Sequence, residues 1–391
     1  MTLSKNQQLF LDHALKGDNI FLTGKAGTGK TFVVKQVMAA LRAENKKVVA
    51  IAPTGVAANN VGGQTIHSMF SINPYGVASF QTCNFLKGEK RRMLDAVDVI
   101  FIDEISMLRP DVLDAINWTL LKNGCDGLKT KQVIFVGDLK QLPSPINDNT
   151  RSVLYKTYDG EEFFEADVYP KLNVINIELD EVLRQSNEEF IHALNVIREG
   201  GKHEYFRRFV GTESKGIVLA PHNTTVDRYN KIGFDAINGE VYTFTAKIEG
   251  NVKADDFNLP KVIKVKTGCK IMYLANQIGG ELINGTLGIF VSHAGCHYIR
   301  VGEIDHALTE MKFTKKEYVL NDEKNNLELR ELGSIEQYPF KLAFALSIHK
   351  SQGLTFDEVT VDLTRPCFAK GQQYVALSRV TTPEGLRIII E

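Results

Sequence analysis

Short apolar runs, each closed by glycine or small polar residues, organise the first third of the chain. They are Asn19–Leu22, Lys47–Ala52, Val97–Ile102 and Gln132–Val136. Each is too short for a helix and lacks the alternation of a half-exposed strand. Each therefore predicts a strand covered on both faces, as in a parallel sheet. Helical spacing separates them. Leu9–Leu15 is amphipathic, with Ser4 as its N-cap, and Phe32–Glu44 repeats Val34, Val37, Met38 and Leu41 at helical intervals. Strands alternating with helices describe a doubly wound α/β domain over residues 1–165. Residues 71–92 break the periodicity at Pro74, Gly76 and Gly88 and read as a small accessory insertion ending in Lys87-Gly88-Glu89-Lys90-Arg91-Arg92.

The second half repeats the theme. Asn173–Leu179, Gly216–His222, Phe356–Leu363 and Leu386–Glu391 read as strands, and Gly371–Val380 as a helix carrying Arg379. A second α/β domain over 170–246 plus 339–391 accounts for them. Between 247 and 338 the pattern changes to short strands punctuated by Thr267-Gly268, Gly279-Gly280, Asn284-Gly285 and Ala294-Gly295, which predicts an inserted all-β domain. Glu317–Glu331 is charged and is expected to be exposed.

The turns after the apolar runs carry the chemistry. Gly24-Lys25-Ala26-Gly27-Thr28-Gly29-Lys30-Thr31 is a phosphate-binding loop set between a strand and a helix, the context that motif needs. Glycines let the backbone wrap and aim its N–H groups inward, and the helix N-terminus adds partial positive charge. Lys30 is suited to β/γ-phosphate charge and the Thr31 hydroxyl to Mg²⁺. The run ending at Ile102 delivers Asp103, suited to holding Mg²⁺, and Glu104, suited to polarising an attacking water. Gln141 follows the next strand, where it could sense the γ-phosphate. Gln7 offers an amide donor and acceptor to an adenine edge, though a surface glutamine fits equally well. Thr65, His67 and Ser68 supply short donors for phosphate. A capped helix start with a structural histidine explains the same stretch.

Composition narrows the partners little. The chain has 391 residues, 46 basic against 47 acidic, for a net charge of −1, so any nucleic-acid groove must be local. The five cysteines are scattered without a C-x-x-C pair. That spacing argues for reduced thiols in an intracellular protein and against a zinc site. Met1–Phe10 has no signal-peptide core, and no apolar run approaches the ~20 residues of a membrane span.

Ile102-Asp103-Glu104-Ile105-Ser106-Met107, followed by Gly137-Asp138-Leu139-Lys140-Gln141-Leu142-Pro143, resembles the superfamily-one helicases of the RecD-like branch. Thr54-Gly55-Val56-Ala57-Ala58 and Thr65-Ile66-His67-Ser68 narrow the likeness to the PIF (petite integration frequency) DNA helicases. Phe344–Thr355 and Gln373–Val380 resemble that family's last two motifs, and Leu183-Arg184-Gln185 the one that carries an arginine finger. The signature segment departs from the family's Gly-Gly-Ile-Gln ending, with Lys129-Thr130-Lys131-Gln132 in its place.

The resemblance implies two RecA-like P-loop NTPase-type domains with an inserted SH3-like β-domain. It also implies a monomeric ATP- and Mg²⁺-dependent motor moving 5′ to 3′ on single-stranded DNA. Catalysis would fall to Lys30, Glu104, Gln141, Arg184 and Arg379, the last two reaching the γ-phosphate from the second domain; such fingers are worth about 10³–10⁵ in rate. ATP would be held by Gln7, Gly24, Ala26, Gly27, Thr28, Gly29, Lys30, Thr31 and Gly353, and Mg²⁺ by Thr31 and Asp103. DNA would lie against Thr54, Gly55, Val56, Thr65, His67, Ser68, His222, Asn284, His349 and Lys350. Expected substrates are tailed or forked duplexes, with G-quadruplexes among the candidates. Expected roles are in repair, recombination and telomere maintenance. The expected source is bacterial or phage, and the expected setting is the cytoplasm, associated with the bacterial nucleoid. Two rivals are an ATP-switched DNA clamp that does not unwind and, less favoured by Glu104, a small-molecule kinase.

Overall fold

The computed structural model describes residues 3–25, 27–74, 76–180, 187–257, 259–275, 282, 284–321 and 326–390. The chain falls into two compact units, Met1–Arg184 with Lys316–Glu331, and Gln185–Lys315 with Leu332–Glu391.

In the first unit the apolar runs become β1 (Ile20–Gly24), β2 (Val48–Ala52), β4 (Val99–Ile102) and β5 (Gln132–Gly137), joined by the two-residue β3 (Gln64–Thr65) and by β6 (Ile175–Leu179). They form a six-stranded sheet in the order β3-β2-β4-β5-β1-β6, with every neighbouring pair parallel. β2 and β4 are buried at every position, as their unbroken apolar sequences require. Parallel strands end at one edge, so the turns that follow β1, β2, β4 and β5 gather there.

β6 departs from the expected boundary, which assigned residues from 170 onward to the second domain. It pairs with β1 from Ile20↔Ile175 to Gly24↔Leu179. Its alternation of buried and exposed positions is that of an edge strand with one face on the core. Such a pattern says which face is buried and nothing about which sheet is joined.

Helices cover both faces. α1 (Lys5–Lys16) starts at the N-cap Ser4, and α2 (Lys30–Ala43) buries Val33, Val34, Val37, Met38 and Leu41 against the sheet. Each such burial stabilises the fold by about 1.5–3 kcal/mol. The short α3 (Gly55–Asn60) and α4 (Ile66–Phe70) follow β2 and β3, α5 (Gly88–Ala96) precedes β4, and α6 (Pro110–Lys122) follows it. Residues 71–87 form no strand or helix among those described. Buried polar groups at the two ends of α6 hold that segment. Asp111 accepts from the Ala78 N–H at 2.7 Å, and the Asn123 side chain accepts from the Leu86 N–H at 2.6 Å.

The second unit is built on a four-stranded parallel sheet in the order Ala345–Ser347, Ile217–Ala220, Val359–Asp362, Leu386–Ile389. The helix Asn223–Asp235 packs on it. The helix near Arg379 spans only Gln372–Leu377, so Arg379 lies beyond its end rather than within it as expected. Antiparallel strands run from Tyr242 to Leu342, with Lys316–Glu331 grouped with the first unit, and the span is wider than the expected 247–338 because Tyr242–Thr245 pairs with Val262–Val265 and Phe340–Leu342 with Lys270–Tyr273. Their core gathers Val265, Ile271, Tyr273, Phe290, Ile299 and Phe340. Among the described residues no helix is long and apolar enough to cross a membrane.

One cation sits badly in this unit. The Lys341 Nζ, on the strand Phe340–Leu342, is buried with no hydrogen-bond partner among the described residues. Burial, and then the charge of Lys350, lowers its pKa to about 8. The folded state therefore binds fewer protons than the unfolded one between that value and the ordinary lysine pKa. Stability should rise with pH across that window, and the penalty is fully present below it. Lys341→Met should stabilise the protein at pH 7 by on the order of 1–3 kcal/mol and flatten the rise. Melting curves at pH 7 and pH 10 test this; equal melting temperatures for both proteins at pH 7 would refute it.

Candidate nucleotide and nucleic-acid sites

The loop between β1 and α2 is shaped by its glycines. Gly29 sits in the left-handed region at φ 79° as the N-cap of α2, and no side chain caps that end. The first amides of a 14-residue helix are thus directed at the loop, where an anion is the natural acceptor. The Lys30 Nζ lies inside the curve, donating to the Gly24 carbonyl at 2.7 Å and the Lys25 carbonyl at 3.0 Å. The buried Thr28 hydroxyl donates to the same Lys25 oxygen at 3.0 Å, bracing the turn. Thr31 is exposed in the first turn of α2. Ala26 lies outside the described residues.

β4 delivers the carboxylates. Its ladder with β2 runs one step past the strand, because the Asp103 N–H donates to the Ile51 carbonyl at 2.9 Å. Glu104 then turns into the left-handed region at φ 52° and ψ 48°. A non-glycine residue held there costs about 1–3 kcal/mol, a strain that clusters at functional sites. Burial, then the neighbouring Glu104 charge, raises the Asp103 pKa to about 7, and the positive charge of Lys30 works against that rise. Lys30 and Asp103 therefore act on each other electrostatically.

A hard divalent cation suits this donor set. Among the described residues no group of three or more His, Cys, Asp or Glu gathers anywhere. A cation held by Asp103 and Thr31 would complete its shell with phosphate oxygens and water, which is how Mg²⁺ is usually bound. A buried carboxyl with an elevated pKa is also a group that gains from a nearby positive charge.

β5 brings the third turn to the same edge. The buried Asp138 accepts from the Lys140 N–H at 3.0 Å, and the Gln141 N–H donates to the Asp138 carbonyl at 3.0 Å. Gly137 lets this turn close on the one after β4: a Cβ there would stand 2.8 Å from the Ile105 side chain. Gln7 has a structural task. It is buried, and its side-chain oxygen accepts from the Ser4 N–H at 3.1 Å while the Ser4 hydroxyl caps Gln7 in return. Its NH₂ group is the part left to meet a base.

The polar residues after β2 and β3 also cap. Thr54 accepts from the Ala57 N–H at 3.2 Å and Thr65 from the Ser68 N–H at 3.3 Å, starting α3 and α4. Gly55 opens α3, and the side chain of Val56 lies outside the described residues. Burial and the charge of Arg109 lower the His67 pKa, so at neutral pH its ring is an uncharged donor or acceptor. Part of the basic cluster is spent on structure. Lys90 donates to the Ser68 carbonyl at 2.6 Å and Arg91 to the Asn123 carbonyl at 2.8 Å.

In the second unit, Ser347 leads into the turn Ile348–Ser351, which carries His349 and an exposed Lys350. Gly353 follows at φ 79°. Asn284-Gly285 adjoins this loop, since a Cβ on Gly285 would lie 3.3 Å from the Leu354 side chain. The Arg379 guanidinium, buried, donates to the Val375 carbonyl at 2.8 Å, the Leu354 carbonyl at 3.1 Å and the Ser378 hydroxyl at 2.9 Å. The two C-terminal motifs are thereby locked together. Leu183, Arg184 and Gln185 lie outside the described residues.

Sequence reasoning missed Phe368. This ring is 64% exposed, with the rings of His222 and His349 beside it. The available signal was its setting, a lone aromatic in the polar loop Thr364–Gly371.

A family model described as PIF1-like helicase matches residues 2–206. The chain belongs to the PIF1-like helicase family. It is 27% identical to the ATP-dependent DNA helicase Pif1 of Campylobacter jejuni, over 97% of this chain and 90% of that one. It is 30% identical to the Bdellovibrio bacteriovorus helicase of the same name, over 99% and 88%. Among solved structures, Bacteroides Pif1 in complex with ADP-AlF4 matches with a TM-score of 0.87 and 31% identity, covering 99% of this chain and 92% of that one. Bacteroides Pif1 bound to single-stranded DNA matches with a TM-score of 0.71 at the same identity and the same coverage of each chain. These matches agree with the α/β fold of parallel sheets and the inserted antiparallel strands expected for a PIF1-like helicase.

The Asp103 carboxyl sets a pH dependence. Its folded pKa lies above the unfolded value, so the folded state holds the extra proton between about pH 4 and pH 7, and stability falls as pH rises through that range. In a chelating, nucleotide-free buffer, Asp103→Asn should raise the melting temperature by about 2–6 °C at pH 8.5. At pH 4.5 it should change it little. Differential scanning calorimetry at the two values decides the point, and a pH-independent effect would count against it.

Proposed function

We propose that this PIF1-like helicase hydrolyses Mg-ATP between the loop after β1 and the carboxylates after β4, and uses the cycle to move 5′ to 3′ along single-stranded DNA and unwind duplex ahead of it. The chain is an ATP-dependent DNA helicase, so the proposal concerns which residues act and in which direction. One observation carries it: the Lys30 Nζ sits inside the glycine loop on the Gly24 and Lys25 carbonyls, at the edge of the parallel sheet where β4 also ends and where Glu104 is held in a strained left-handed conformation after Asp103.

Lys30 and the first amides of α2 hold the β- and γ-phosphates, exchanging the loop carbonyls that Lys30 now contacts for phosphate oxygens. Thr31 and Asp103 would hold Mg²⁺, which supplies charge neutralisation on the phosphates when bound. Glu104 accepts a hydrogen bond from the attacking water and takes its proton as the water attacks, and Gln141 orients that water toward the γ-phosphate. Gln7 presents its NH₂ to the base, and Gly353 offers backbone access to the nucleotide. Arg184 and Arg379 act as fingers on the terminal phosphate, Arg379 by giving up the Leu354 carbonyl that its buried guanidinium now holds, and they stabilise the charge that spreads over its oxygens in the transition state.

The strand lies against Thr54, Gly55, Val56, Thr65, His67 and Ser68 of the first unit, and His222, Asn284, His349 and Lys350 of the second. Their small donors and open backbone favour phosphate contacts, which position a strand without reading its sequence. Substrates are tailed and forked duplexes, with G-quadruplexes as a further class. The working form is a monomer, and the setting is the nucleoid.

Glu104→Gln keeps the shape of the site and removes its charge. It should bind ATP normally while turnover falls about 10²–10⁴-fold; normal turnover would end the assignment. Direction is read by strand displacement. A duplex with a 5′ tail should be unwound and one with a 3′ tail should not. DNA-stimulated ATPase with no strand released from either would favour a clamp instead.

A further inference from the structure

We propose that Phe368 is a platform on which the second unit stacks a nucleobase of the bound single strand. The proposal rests on the DNA-translocating reading above. A phenyl ring left 64% exposed forgoes the burial that normally places phenylalanine in a core. The loop that carries this ring is also pinned rather than loosely tethered. The Phe368 N–H donates to the Gln372 side-chain oxygen at 3.0 Å, and Gln372, itself fully buried, reaches the Pro221 carbonyl at 3.3 Å with its NH₂. Two residues earlier the loop is pinned again, with the Pro366 carbonyl 3.0 Å from the His222 Nε2.

The rings around it form a graded stack. His349 lies 5.7 Å from Phe368, centroid to centroid, at 19°, and His222 lies 5.1 Å away at 45°. Burial lowers the His349 pKa, so its ring stacks as neutral imidazole at physiological pH. A flat, exposed, pre-positioned ring offers one π-face to any of the four bases, which is how single strands are held without sequence preference. Lys350, next in sequence to His349, is exposed. Pre-organisation matters because a mobile side chain would have to be ordered before it could stack.

Two oligonucleotides of equal length and charge separate stacking from charge: an oligothymidylate, and the same strand with abasic sites in place of its bases. Fluorescence anisotropy with the full chain gives both affinities. Phe368→Ala should weaken binding to the base-bearing strand about 5- to 100-fold and leave binding to the abasic strand unchanged. Phe368→Trp should retain affinity for the base-bearing strand. Equal loss on both strands, or no loss on either, would overturn the proposal. Wild-type protein that bound neither strand would overturn it together with the reading of the preceding subsection. An unchanged melting curve for Phe368→Ala confirms that the fold is intact.

Discussion

The first unit depends on the backbone ladder that keeps β2, β4, β5 and β1 parallel and in register. Because β4 lies between β2 and β5, the bond from the Asp103 N–H to the Ile51 carbonyl fixes where the strand stops and the turn begins. A slip of one residue would put Ile102 or Glu104 where Asp103 stands and turn every side chain of β4 to the opposite face. The same parallelism brings the loop after β1 and the turn after β5 to that edge. No single side chain creates the site; the common direction of the strands does.

Much of this was legible in the sequence, and the reason is physical. A strand buried on both faces must be apolar at every position, so β1, β2, β4 and β5 announced themselves as runs. The glycine loop was legible because only a few backbone shapes suit a phosphate, and Gly29 at positive φ is one of their signatures. β6 was recognisable as a strand but not as a member of the first sheet, since alternation records solvent and core, not neighbours. β3, two residues long, carried no periodicity at all. The helix before Arg379 ends at Leu377, with the Arg379 N–H donating to the Ala376 carbonyl in a tightened last turn, a local choice that apolar spacing does not encode.

The candidate site was legible in its chemistry and less so in its double duties. Ser4, Gln7, Thr54 and Thr65 each satisfy a helix N-terminus, so a motif position here holds up the local fold as well as facing a ligand. Sequence alone cannot divide those roles, because both use the same short polar side chain. Phe368 shows the converse. Composition counts rings without saying which are covered; exposure separates Phe368 from the core, and the bonds through Gln372 and Pro366 fix the loop that presents it.

The left-handed backbone at Glu104 has a consequence for anyone improving this protein. Glycine or asparagine would relax that conformation, while the proposed role in polarising water requires a carboxylate. Selection for heat tolerance alone would therefore drift toward variants that are sturdier and inert. A library of this chain ranked by thermal survival would carry its dead members at the top, and survival and turnover have to be scored together.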